Sequence, residues 1–151
     1  MILLALFSSE TMELSNQDKI RHLKRIQELD IEINDLLEKS FELRTELGKI
    51  TTTYSDMPQG GGSIYSSTEI IIARIVDAEN EVNRRTDYLT EQREKLMEDI
   101  DRLDKTKLKR LLKLRYIDYK TWEQVAVDLK HSWQHTHRLH SEALQKLIIR
   151  N

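Results

Sequence analysis

LLKLRYIDYKTWEQVAVDLKHSWQHTHRLHSEALQKL, running from Leu111 to Leu147, carries apolar residues at helical spacing in three blocks separated by capping residues, the pattern of three short helices joined by tight turns. In the middle block Trp122, Val125, Ala126 and Leu129 fall at i, i+3, i+4 and i+7, which places them on one buried stripe. Thr121 is set to cap that helix. Gln124, three residues on, can reach back to the Thr121 backbone N–H while the Thr121 hydroxyl accepts from the Gln124 N–H, so two orphaned donors are satisfied reciprocally. Small Ala126 lets a neighbouring helix come close. Ser132 opens the next helix, whose inward stripe is Thr136, Leu139, His140, Ala143 and Leu147. Gln134, His135, His137, Arg138 and Ser141 are left pointing outward.

Amide, imidazole, guanidinium and hydroxyl groups on one outward face are the chemistry that reads base edges in a DNA major groove, where Arg pairs with guanine and Gln with adenine. Two-helix units with a short turn also serve as plain packing modules, so the pattern alone leaves that alternative open. Charge distribution favours nucleic acid. From Lys105 to Asn151 there are eleven Lys/Arg against four Asp/Glu, a balance of +7, whereas Met1 to Asp104 has thirteen against twenty-two, a balance of −9; the net −2 of the chain hides the split. A basic C-terminal block supplies the sequence-independent attraction to phosphate that a DNA reader needs. The phosphate contacts expected around the reading helix are Lys120, Thr121, Gln124, Lys130, His131 and Ser132.

The run LRYIDYKTWEQVAVDL, followed by HS and RLHSEALQKL, resembles the region-four-type helix-turn-helix of sigma factors, in which a short LRY helix precedes the DNA-reading pair. Taken with TTTYSDMPQGG upstream, the chain more closely resembles the small phage and prophage regulators of the ArpU/RinA type, over roughly Ile20 to Leu147. The resemblance implies activation of phage late genes in a bacterial host, with host RNA polymerase as a partner. Relatives often carry Gly in the turn after the second helix, where this chain has Lys130-His131, and a β-branched aliphatic residue where it has Thr136. Without that Gly, Lys130 is expected at positive φ, at some cost.

Outward from this stretch, a composition of 33 % charged and 6 % aromatic residues, four Gly and one Pro suits long exposed helices. Ile26, Leu29, Ile33, Leu36, Ser40, Leu43, Leu47 and Ile50 follow a heptad-like 3-4 spacing, with Leu23, Ile31, Leu37 and Phe41 widening the stripe, over a helix from about Leu14 or Ser15 to Ile50. All four glycines and the proline lie between Gly48 and Gly62, which marks a hinge, with Tyr54, Met57, Ile64 and Tyr65 available to pack it. A second helix from about Thr68 to Leu103 has its seam at Ile72, Ile75, Val82, Leu89, Leu96 and Ile100, interrupted by Glu79, Thr86 and Arg93, which specify register rather than strength. These two helices either pair with each other or hold copies of the chain together. The expected fold is all-α: a flexible segment over 1–13, a long antiparallel helical hairpin or coiled coil for oligomerisation over 14–104 with a hinge loop at 51–67, and a helix-turn-helix domain over 105–151.

MILLALF lacks a basic n-region and a cleavage site and is too short to span a bilayer, so neither export nor a membrane partner is expected. The chain has no cysteine, which removes disulfides and thiolate zinc sites and suits a cytoplasmic setting in a bacterial host cell. No P-loop, nucleophile elbow or HExxH is present, and no enzymatic role or cofactor is expected. His131 and His135 are four apart, but the Ser132 cap falls between them, and Asp99, Asp101 and Asp104 do not share a helical face; no metal site is expected from either group. The function expected is sequence-specific binding of double-stranded DNA by a homo-oligomer, a dimer favoured, in transcription regulation. Two rivals remain: a small-terminase-like DNA-packaging recognition subunit, and a coiled-coil adaptor without DNA specificity.

Overall fold

The computed structural model describes residues 14–54 and 62–150. The segment 1–13 and the packing assigned to Tyr54, Met57, Ile64 and Tyr65 lie outside the described residues and side chains. Every regular element among the described residues is helical: α1 (Asn16–Tyr54), α2 (Gly62–Asp101), α3 (Thr106–Leu112) running into a π-helical turn (Lys113–Ile117), α4 (Trp122–Leu129) and α5 (Trp133–Lys146). No helix among the described residues is long and apolar enough to cross a membrane.

Ser15 caps α1, its hydroxyl accepting from the Asp18 N–H at 3.2 Å and donating to the Asp18 carboxylate at 2.6 Å. The helix does not stop at Ile50, as the glycines and β-branched run suggested, but continues to Tyr54. The three threonines explain this locally: Thr51, Thr52 and Thr53 each turn a hydroxyl back onto a carbonyl of the preceding turn, so they satisfy themselves within the helix. The hinge is correspondingly shorter than the 51–67 expected, since α2 already begins at Gly62.

α1 and α2 pair antiparallel within the chain, which answers how the long apolar stripes are covered. Leu23, Ile26, Leu29 and Ile33 on α1 and Leu89, Leu96 and Ile100 on α2 are buried between them and the C-terminal helices. Two of the polar interruptions do fix register: Glu79 pairs with Arg44 and Arg93 with Asp30 at 3.0 Å, both across the hairpin. The expected stripe needs correction in two places. Ile31, Leu37 and Phe41 are exposed rather than widening the α1 seam, and on α2 Ile71, Ile75 and Ala78 are buried while Ile72 is exposed. Three consecutive isoleucines leave the local pattern free to choose either phase, and the antiparallel partner chooses Ile71.

The C-terminal helices pack on the base of this hairpin. One apolar cluster runs from Leu23 and Ile26 through Leu96, Ile100 and Leu103 to Leu108, Leu111, Leu112, Val125 and Leu147, so the change of charge at Asp104–Lys105 separates two compositions but not two cores. Lys19 is buried with its amine donating to the Leu144 carbonyl at 2.8 Å. Buried Asp99 accepts from Arg102 at 2.8 Å and from the Arg150 backbone N–H at 3.0 Å, holding the tail that follows α5.

The LRY block is a π-helical turn rather than a separate short helix, and it delivers the chain to Tyr119, which sits at φ 56°. A non-Gly residue in the left-handed region costs of order 1–3 kcal/mol and persists where surroundings over-determine it. Here they do. The Tyr119 hydroxyl donates to the Asp30 carboxylate at 2.6 Å and accepts from the Arg93 guanidinium at 2.9 Å, while Lys120 N–H closes onto the Leu114 carbonyl at 3.0 Å. Tyr119→Phe should therefore lower unfolding stability by about 1–2 kcal/mol, because two charged groups lose a shared partner. In a urea double-mutant cycle with Asp30→Asn the losses should be non-additive; full additivity would show that the two side chains are not coupled.

Candidate nucleic-acid interface

α4 and α5 are held by their caps. Thr121 and Gln124 form the reciprocal box, Gln124 Oε1 accepting from Thr121 N–H at 3.0 Å and Thr121 Oγ1 from Gln124 N–H at 3.3 Å. Ser132 caps α5 by accepting from His135 N–H at 3.2 Å. Between the helices Lys130 adopts φ 56°, ψ 43°, with its own N–H on the Val127 carbonyl and the His131 N–H on the Ala126 carbonyl, both at 3.0 Å. That 6→1 and 5→2 pair is a Schellman end, made here with Lys where Gly is cheaper. Thr136 is fully buried and donates its hydroxyl to the Ser132 carbonyl at 2.9 Å, so a threonine satisfies its own polar group at an apolar position.

Thr136, His140, Ala143 and Leu147 face inward and are buried. The Tyr116 hydroxyl and His140 Nε2 share a 2.8 Å hydrogen bond, and Trp122 lies 4.7 Å from the His140 ring, edge-on. Burial, with the positive charge of His137 and Arg115 nearby, pushes His140 down to about 4; burial pushes the Tyr116 hydroxyl up to about 12. Both groups are therefore neutral at ordinary pH.

On the outer side, Gln134, Arg138 and Ser141 are exposed, and the Ser141 hydroxyl donates to the His137 carbonyl at 3.2 Å. His135 is half-buried against His131, the two rings 4.5 Å apart and edge-on. Partial burial and the charges of His135 and Lys107 hold the His131 imidazole below its usual range. His137 is less available than its spacing implies. Its ring lies between Trp133 at 4.0 Å and Trp122 at 4.5 Å, and Trp122 in turn lies under the Arg115 guanidinium at 5.0 Å. This stack brings Trp133 to the outer face, 55 % exposed at the first position of α5. The sequence reading missed Trp133; its place directly after the Ser132 cap was the available signal.

The residues expected at phosphate gather around the two turns, with one qualification. The Lys120 amine pairs with Asp128 at 2.5 Å, a partner eight residues away that lies along α4. Thr121 and Gln124 are occupied in the cap but retain a hydroxyl and an amide donor. Other basic residues are paired too: Lys105 with Glu142, Lys113 with Asp101 and Lys146 with Asp104. Among the described residues from Lys105 onward, Lys107, Lys109, Arg110, Arg115, Lys130, Arg138 and Arg150 make no such ion pair, and they carry the unpaired positive charge of the C-terminal helices.

The fold and this face define a helix-turn-helix unit seated on an intramolecular helical hairpin. The profile of a family described as a protein of unknown function (DUF1492) matches residues 49–148, from the last turn of α1 to the end of α5, and the chain belongs to that family. No curated protein and no solved structure matches the chain.

Neutral burial of His140 gives a test of the core beneath this face. Its folded-state value lies below the ordinary 6.5, so the contribution of the neutral ring is complete above pH 6.5 and is lost as pH falls toward 4. Over that window the chain should lose up to about 3 kcal/mol of unfolding stability from this residue. His140→Gln, which keeps a polar partner for Tyr116 but does not titrate, should flatten the pH dependence in chemical denaturation; an unchanged profile would show that another group governs it.

Proposed function

We propose that the protein is a sequence-specific DNA-binding regulator of transcription in which α5 enters the major groove. The observation that carries this reading is the outer face of α5, where Gln134, Arg138 and Ser141 are exposed beside Trp133 and behind two capped helix starts. Arg138 and Gln134 are the base-reading groups, and Trp133 adds an apolar surface suited to a thymine methyl. Lys130, the Thr121 hydroxyl and the Gln124 amide lie at the flanking turns for phosphate, with His131 and Ser132 at the start of α5. The basic balance of the C-terminal block supports the same assignment.

The resemblance to ArpU/RinA-type regulators supports a phage or prophage setting, with activation of late genes alongside host RNA polymerase. A chain that reads one short site with one 14-residue helix gains specificity by working as a pair, which supports self-association.

Selection of bound duplexes from a random pool by the full chain should converge on one motif. Arg138→Ala should cost about 1–3 kcal/mol on that motif and relax preference at one base position, whereas Lys130→Ala should weaken all sequences alike and lower the salt slope by about one unit. Recovery of no motif would defeat the reading of a sequence-specific protein.

Proton linkage gives a second test. In the free protein partial burial and positive neighbours depress His131, and a polyanion beside it favours the charged ring. DNA therefore raises its pKa, and affinity should increase as pH falls from about 8 to 6 with net proton uptake and no sensitivity to chelator. Weaker binding at low pH would place the imidazoles away from phosphate.

A further inference from the structure

The two flanks of the α1–α2 hairpin differ in chemistry. Arg44 lies three residues after Phe41 and seven after Leu37, and Glu79 stands in the same relation to Val76 and Ile72. Because Arg44 and Glu79 pair across the seam, Leu37, Phe41, Ile72 and Val76 all lie on one flank. All four are exposed, Phe41 by 71 %. Asn34 and Asn83, seven residues before Phe41 and after Val76, continue that flank with uncharged groups. Its charges between residues 34 and 83 are Arg44 and Glu79, which neutralise each other, and Glu69 at the far end, three residues before Ile72.

The opposite flank is the reverse. On α1, from Arg25 to Lys49, every residue at the corresponding 3-4 spacing is charged, and Glu32 there bridges to both Arg25 and Arg85. In a chain with 33 % charged residues, one flank whose single unpaired charge is Glu69 at its end shows the depletion that marks the core of a protein interface.

We infer that this apolar flank, centred on Phe41 and Val76, is where a second copy of the chain docks, giving a two-fold dimer through the hairpins. Charge identifies the occupant. The first 104 residues carry a balance of −9, so two copies meet with least repulsion through the face that carries least of that charge. A basic partner would instead seek the carboxylates of the charged flank. Apolar and amide side chains are self-complementary, as an isologous contact requires. The flank also lies beyond the Asp30–Arg93 pair, away from the C-terminal helices, so docking leaves α5 uncovered. The inference does not depend on DNA binding, since association is measured without nucleic acid.

Sedimentation equilibrium of the full chain should give a dimer at micromolar concentration. Phe41→Glu and, separately, Val76→Lys should each weaken association by about tenfold or more while helical circular dichroism is retained. Tyr88→Glu, which places the same charge at an exposed position off this flank, should leave the dimer intact. A monomeric wild-type chain, an assembly larger than a dimer, or a dimer indifferent to both Phe41→Glu and Val76→Lys would overturn the inference. If one of those two variants loses helicity, the other decides.

Discussion

One hydroxyl joins the two halves of this molecule. Tyr119 carries its phenol to Asp30 on α1 and Arg93 on α2, at the point where the chain leaves the π-helical turn and enters α4. The left-handed backbone at Tyr119 is unfavourable alone, and a carboxylate and a guanidinium are each costly to leave half-buried without partners. Together the phenol, the carboxylate and Arg93 Nη2 satisfy one another, leaving only Arg93 Nε buried without a partner, and the cost of the turn becomes the condition for aiming α4 and α5. Apolar continuity does the rest: the core that begins at Leu23 and Ile26 passes without interruption into Leu108, Leu111 and Val125. The direction in which α5 faces is therefore set by the hairpin as well as by its own caps.

How much of this the sequence discloses follows from the range of each interaction. Thr121 with Gln124, Ser132 before α5, and Lys130 in the left-handed region are all decided within four residues, and they are legible at that distance. The long helices are equally plain as elements. Their faces are not: Ile70, Ile71 and Ile72 offer three phases, and only the register imposed by Arg44–Glu79 and Asp30–Arg93 shows that Ile71 is inside. Length was misjudged where Thr51, Thr52 and Thr53, placed in the hinge, bond back to the helix and extend it.

The candidate interface divides the same way. Gln134, Arg138 and Ser141 are exposed where helical spacing puts them. His137 has the same spacing, but Trp122 and Trp133 approach it from two elements, and periodicity carries no information about such a contact. Lys120 is similar: it precedes α4 and its partner Asp128 lies near the far end of that helix, so a count of basic residues overstates the charge available to a ligand. What composition conveys correctly is the polarity of the chain, acidic along the hairpin and basic at the helix-turn-helix, an arrangement that would keep the hairpin off a polyanion while α5 approaches it.

The central claim is that α5 lies in a major groove, and the groove itself can report on it. Guanine N7 lies on the major-groove edge and adenine N3 on the minor-groove edge, and dimethyl sulfate modifies both. On a duplex bound by the full chain, the account predicts protection of guanine N7 at a small cluster of positions with adenine N3 still reactive. Protection confined to adenine N3, or none at either atom under saturating protein, would contradict it.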